Sequence, residues 1–240
     1  MTESADLAAL KGATIAFDLD GTLVDTAPDL IAALNRLLAE RGHAALPLAE
    51  ARPFIGRGAA WLIQRGFTAA GVEVPAGELP MLTERFIADY LTRIAEESAP
   101  FPGVEAALVE MRGAGASLVV CTNKRTDLSL ALLDALDMTR LFDAVVGADA
   151  APAPKPDARH LIAAVDACGG DITRTVMVGD AATDAGAAKA AGTGLVLVSF
   201  GYTETPVAEL GADILVDRFA DLPKACALLL SACEPAAQTL

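Results

Sequence analysis

No apolar run in the 240-residue sequence is long enough to span a bilayer, although hydrophobic residues make up 53% of it. A soluble globular protein is therefore expected. Residues 1–11 carry Glu3 and Asp6 and lack a basic start followed by an apolar block, so no secretory signal is expected there. Basic residues are scarce: 18 Lys and Arg stand against 32 Asp and Glu, giving a net charge of −14 and no basic patch along the chain. That balance excludes nucleic acid and anionic membrane surfaces as partners. An anionic ligand has to be drawn in by local cations rather than by the overall field. Cys121, Cys168, Cys226 and Cys233 form no C-x-x-C pair and have no histidine cluster beside them, which excludes a zinc site and a disulfide framework. They read as reduced thiols of a cytoplasmic protein, with Cys121 in a strand-like run and so in the core. Neither His43 nor His160 has an acidic partner nearby in sequence, and neither is given a role. There is no internal repeat.

Against these absences stands one acidic stretch, Asp18-Leu19-Asp20-Gly21-Thr22-Leu23-Val24-Asp25, preceded by the apolar run 13–17. It reads as a strand that ends in a site. Asp18 and Asp20 are two positions apart, so extended backbone points them the same way, and Gly21 lets the chain turn off at once. Two like charges on one face call for a cation. An ordinary strand-to-helix turn uses the same residue types, so the rest of the chain has to decide.

Thr26, Pro28 and Asp29 have the signature of a helix start, with a capping hydroxyl, an early proline and an acidic first turn. Leu30, Ile31, Leu34, Leu37 and Leu38 follow at helical spacing up to Gly42. Gly56-Arg57-Gly58 forms a loop, helical character resumes over 59–66, and a further helix is expected over 78–97 with Leu82, Phe86 and Tyr90 spaced by four. The segment 26–97 thus reads as an all-helical insert. After Pro100-Phe101-Pro102-Gly103 the rhythm changes to strands at 117–121, 144–146, 175–178, 194–198 and 214–216, separated by helices. Short apolar strands alternating with helices predict a doubly wound, Rossmann-like parallel sheet made of residues 1–25 and 98–240, with 26–97 as an inserted helical cap domain. The last residues, from Glu234, are expected to fray.

In such a sheet, ligands bind beyond the carboxyl ends of the strands. Asp18 and Asp20 follow the first strand and Thr122-Asn123-Lys124 the second. Lys155 lies between Pro154 and Pro156, and Gly179-Asp180 with Asp184 follow the strand after that. With these residues the sequence resembles the haloacid dehalogenase superfamily phosphatases, most closely the phosphoglycolate phosphatases with a helical cap, over nearly its whole length. The resemblance implies a small phosphate ester as substrate, 2-phosphoglycolate being favoured, and an aspartyl-phosphate formed on Asp18. It implies Mg²⁺ held by Asp18, the main-chain carbonyl of Asp20 and Asp180, with Asp184 as a ligand or as support behind them. Asp20 carries the proton to and from the departing oxygen. Thr122 and Lys155 hold the phosphoryl group, Asn123 and Lys124 assist in binding, and Arg57 is the candidate partner for a substrate carboxylate. Asp25 has the place of a helix cap or a hinge residue. Ala181 departs from the resemblance, because serine often follows the aspartate there. A monomer or homodimer is expected.

Other readings share parts of this pattern. A sugar-phosphate phosphatase or phosphomutase has the same core chemistry and differs in the cap. A receiver-like signalling module also clusters aspartates, a Thr and a Lys, but lacks the helical insert and places its lysine last. A metabolite-binding protein without catalysis does not need every one of these positions filled.

Overall fold

Strands buried on both faces read as continuous apolar runs, and the period of two then sorts their side chains between two cores. In the computed structural model, which describes residues 7–233, six such runs form one parallel sheet. They are β1 (Thr14–Phe17), β4 (Ser117–Thr122), β5 (Ala144–Gly147), β6 (Thr175–Gly179), β7 (Gly194–Val198) and β8 (Ile214–Val216). The spatial order is β5-β4-β1-β6-β7-β8. Ile15, Phe17, Leu118, Val120, Val176 and Val178 join one core, while Ala16, Val119, Cys121 and Met177 join the other. The second core is covered by α7 (Ala158–Ala167) and α8 (Ala182–Ala191), through Leu161, Val165 and Ala188. The first is covered by α5 (Val104–Gly113), α6 (Thr126–Ala135) and α9 (Leu222–Cys233). β1 pairs with β4 on one side and β6 on the other, so the order of strands reverses there. The carboxyl ends of β1, β4 and β6 therefore open side by side.

Between β1 and β4 the chain makes four helices: α1 (Ala27–Glu40), α2 (Leu48–Ala51), α3 (Ala59–Ala69) and α4 (Leu79–Leu91). The five apolar residues of α1 that recur at helical spacing are all buried. Gly66 of α3 lets α1 come close, since a Cβ there would lie 2.5 Å from the Leu34 side chain. Two strands of two residues each, β2 (Val24–Asp25) and β3 (Ala99–Pro100), pair antiparallel where the chain enters and leaves this segment. None of the helices among the described residues is long and apolar enough to cross a membrane.

The sequence expectations hold for the six sheet strands and miss at three local points. The last helix of the segment ends at Leu91 instead of running to residue 97. Past Leu91 the chain tightens, with the Thr92 and Arg93 N–H groups donating three residues back to Asp89 and Tyr90, and further on the N–H groups of Glu97 and Ser98 donate to the Asp29 carboxylate, as does the Ser98 hydroxyl at 2.6 Å. Thr26 does not cap α1; its hydroxyl donates to Asp20 at 2.8 Å. The β2–β3 ribbon was not anticipated, because two residues are too few to show a period. The acidic start at residues 1–6 and the frayed end expected from Glu234 lie outside the described residues.

Candidate active site

Asp18 leaves β1 with its N–H still donating to Val178, so the carboxylate sits at the strand's carboxyl end. Its Oδ1 accepts from the Leu19 N–H and lies 2.9 Å from Lys155 Nζ. Lys155 is the buried cation beside Asp18. Its Nζ also donates to the Cys121 carbonyl at 2.6 Å and to Asp184 Oδ1 at 2.7 Å. The backbone of Lys155 is held as firmly, its N–H donating to Asn123 Oδ1 and to His160 Nδ1. Burial first, and then Lys155, push the His160 imidazole down to about 4, so it is neutral. With Nδ1 accepting, its Nε2–H donates to Val146. His160 thus seats Lys155, a role that no motif announces, because it depends on how the loop before α7 folds back onto its first turn and on the ring reaching Val146 of β5.

Asp180 and Asp184 come from the loop after β6 and the first turn of α8. Asp184 Oδ2 accepts the N–H groups of Asp180 and Ala181, closing the loop on itself. Asp180 accepts from the Thr22 hydroxyl at 2.7 Å and from the Tyr202 N–H at 2.6 Å. Gly21 and Gly201 make this enclosure possible. A Cβ at Gly21 would lie 2.7 Å from Asp180 Oδ2, and one at Gly201 would lie 2.2 Å from its Cβ. Asp18, Asp180 and Asp184 each offer an oxygen within 4.8 Å of the others, a buried acidic cluster able to hold a metal ion. Burial and the neighbouring carboxylates raise Asp18 to about 6 against the pull of Lys155, and raise Asp180 to about 8. One ammonium faces three buried carboxylates, so the donor set lacks positive charge and fits a hard divalent cation.

Thr122 closes β4. Its oxygen accepts the Lys124 N–H, which leaves its own proton free for a ligand. Asn123 is spent on structure: its amide donates to the carbonyls of Gly56 and Lys155. Lys124 turns inward. Its Nζ donates to both oxygens of Asp20, at 3.0 and 3.3 Å, and lies 4.6 Å from the centre of the Tyr90 ring. Burial alone would lower the Lys124 amine, but Asp20 and Tyr90 more than reverse this and hold it charged. These groups open onto a cavity of about 180 Å³, also lined by Leu30, Ile55, Leu62 and Phe86 from the helical segment.

Arg57, expected to point at the substrate, stands elsewhere. Its guanidinium stacks on Trp61 at 4.5 Å and lines a neighbouring cavity with Ala181, Thr183 and Tyr202. The positive φ values of Gly56 and Gly58 turn the loop so that its backbone faces the Asp20 cavity. Asp25 is neither a free carboxylate nor a cap: it accepts from the Tyr202 hydroxyl and lies 3.5 Å from Arg52. Asp18, Asp20, Thr122, Lys124, Lys155, Asp180 and Asp184 are therefore gathered at one sheet edge, with Asn123 behind them and Arg57 apart.

Residues 15–198 match the family model described as haloacid dehalogenase-like hydrolase. The chain belongs to this family. A relative in Caulobacter vibrioides named phosphoglycolate phosphatase is 59% identical to this hydrolase over 230 residues, covering 96% of this chain and 97% of its own. Another of that name in Agrobacterium fabrum is 42% identical and covers 87% and 90%. Among solved structures, a "predicted phosphoglycolate phosphatase" from Haemophilus somnus superposes with a TM-score of 0.83 at 29% identity, over 90% of this chain and 98% of that one. In this hydrolase the gathered residues lie at the carboxyl ends of the central strands β1, β4 and β6.

Proposed function

We propose that this hydrolase is a Mg²⁺-dependent phosphatase of small phosphorylated acids, acting on 2-phosphoglycolate to give glycolate and phosphate. The observation that carries the reading is Lys155 Nζ lying 2.9 Å from Asp18 and 2.7 Å from Asp184, beside Asp180 and the free Thr122 hydroxyl. Likeness at 59% identity to the Caulobacter phosphoglycolate phosphatase supports the choice of substrate.

Asp18 is the nucleophile. Lys155 fixes one of its oxygens and leaves the other to attack phosphorus, giving the aspartyl-phosphate. The Thr122 hydroxyl and the nearby backbone N–H groups receive the phosphoryl oxygens. Asp18, Asp180 and the Asp20 carbonyl would hold Mg²⁺, which would supply the positive charge that lets an ionised carboxylate approach an anion. Asp184 supports that set from behind, holding the Lys155 ammonium with one oxygen and the Asp180 and Ala181 N–H groups with the other. Asp20 protonates the leaving alkoxide and then takes a proton from the attacking water. Residues 26–97 form the cap and 1–25 with 98–240 the catalytic core, joined by the β2–β3 ribbon. The buried free thiols Cys121 and Cys226 suit the cytoplasm. A monomer or homodimer suffices, since all these groups come from one chain.

The apolar wall of Leu30, Ile55, Leu62 and Phe86 offers few partners to the hydroxyls of a sugar phosphate, which favours a short substrate. Purified protein with Mg²⁺ is expected to release phosphate from 2-phosphoglycolate, and Asp18→Asn to reduce kcat by about a thousandfold or more while leaving the far-UV spectrum unchanged. Full turnover by that variant, or a wild-type preference for hexose phosphates, overturns the reading.

A further inference from the structure

With Arg57 turned onto Trp61, the carboxylate end of a phosphorylated acid needs another partner inside the cavity. Three cations come near it. Lys155 is fully engaged by Asp18, Asp184 and the Cys121 carbonyl. Arg125 is held by both oxygens of Asp127 and is half exposed. Lys124 lines the cavity with a side chain only 5% exposed, and its carboxylate partner there is Asp20, the group assigned to carry the proton. Behind it stands Tyr90, fully buried, with its ring 4.6 Å from the ammonium and its hydroxyl paired with no carboxylate or carbonyl. An ammonium between an aromatic face and one carboxylate in an apolar pocket is a site that a second carboxylate can enter by exchange.

We infer that Lys124, backed by Tyr90, is the specificity-determining cation of this enzyme: the substrate's carboxylate replaces Asp20 on its ammonium, and Asp20 is thereby released to turn toward the leaving oxygen. The inference rests on the phosphatase reading and deepens it. Before substrate arrives, Asp20 is tied down by Lys124 and by the Thr26 hydroxyl. A phosphate ester without a carboxylate can fill the phosphoryl site but brings nothing to exchange for Asp20. Selection for a short acid thus comes from one ion pair that swaps its anion. The exchange leaves the buried ammonium paired with one carboxylate throughout.

The test compares kcat/KM for 2-phosphoglycolate with that for ethyl phosphate, which lacks the carboxylate. In wild-type protein the first is preferred, and Lys124→Met reduces the ratio by about tenfold to a hundredfold, the range for losing a hydrogen bond to a charged group. The Ki of glycolate rises in the same variant while that of inorganic phosphate moves less than about twofold. Tyr90→Phe, which removes only the hydroxyl, lowers the ratio by a smaller factor. One measurement needs no variant and guards against misfolding of Lys124→Met: glycolate must inhibit the wild-type enzyme at concentrations where ethylene glycol does not. Equal inhibition by the two, an unchanged ratio in Lys124→Met, or a shift in the phosphate Ki equal to that of glycolate overturns the inference and leaves the phosphatase reading standing. A wild-type enzyme without preference for 2-phosphoglycolate sinks both.

Discussion

Lys155 shows how much a single residue of this site depends on neighbours far away in sequence. Its ammonium bridges Asp18 and Asp184 while its N–H is shared between Asn123 and His160. Removing the imidazole by His160→Leu leaves that N–H with one acceptor fewer in a buried place, and lets the ammonium drift from Asp18. A loss of kcat of about tenfold with KM changed less than twofold is expected from steady-state kinetics, since positioning and not binding is disturbed. A matching rise in KM would show that His160 serves the substrate instead. Asp18, Asp20, Thr122 and Asp180 were legible because each follows a short apolar run that reads as a strand, and Lys155 and Asp184 joined them through the family resemblance. His160, Tyr90, Thr26 and Tyr202 were not. Tyr90 has the same four-residue spacing as Leu82 and Phe86, so sequence reads it as core, and it is core; what singles it out is the ammonium 4.6 Å from its ring. Lys124 shared a motif with Thr122 and was expected to assist it in binding, whereas the backbone turn after β4 sends the two side chains to different partners.

At the scale of elements, the join between the helical segment and the sheet is where sequence and structure differ most. Asp29 was expected to serve the N-terminus of α1 as an acidic first-turn residue. Its carboxylate also gathers the Glu97 and Ser98 N–H groups and the Ser98 hydroxyl, tying the departure of the segment to its return. Asp29→Ala leaves these buried donors unmet. A loss of about 2–4 kcal/mol in urea unfolding is expected, larger than an exposed helix-start acid is worth. A loss below about 0.5 kcal/mol would mean that water replaces the carboxylate at no cost. The same join reaches the site through Tyr202, whose N–H donates to Asp180 while its hydroxyl donates to Asp25 and accepts the Ala27 N–H. Tyr202→Phe keeps the contact with Asp180 and cuts the contact with the join. It is expected to lower stability by about 1–2 kcal/mol. If the join sets how the helical segment closes, KM for the substrate shifts as well; a stability loss with unchanged kinetics would make Tyr202 a structural tie alone. None of this could be read beforehand, because a two-residue strand pair carries no periodicity and its partners lie more than seventy positions apart.

For the whole molecule, the decisive quantity is the charge enclosed at the sheet edge, and it makes stability depend on pH and metal together. The Asp180 carboxyl has an ordinary value of 3.8 and is raised to about 8 in the folded protein; Asp18 moves in the same direction, to about 6. Both groups hold protons in the folded state over a range where the unfolded chain has lost them. Their contribution to stability is therefore complete below about pH 4 and is lost as the pH rises through about 6 and then about 8. The metal-free protein is expected to melt about 5 °C or more lower near pH 8 than near pH 5, beyond the drift of the remaining groups. On the proposed reading Mg²⁺ takes the place of those protons, so its stabilising effect is expected to have the opposite slope: large near pH 8, where the carboxylates are ionised, and small near pH 5, where protons compete for them. Thermal melts in EDTA and in Mg²⁺ at the two pH values measure both slopes. Asp180→Asn, which cannot ionise, should flatten the pH dependence of the metal-free protein and remove most of the gain from Mg²⁺. A gain from Mg²⁺ that is the same at both pH values, or that survives in Asp180→Asn, would place the ion away from the three buried carboxylates and would take the cation out of the mechanism proposed for Asp18.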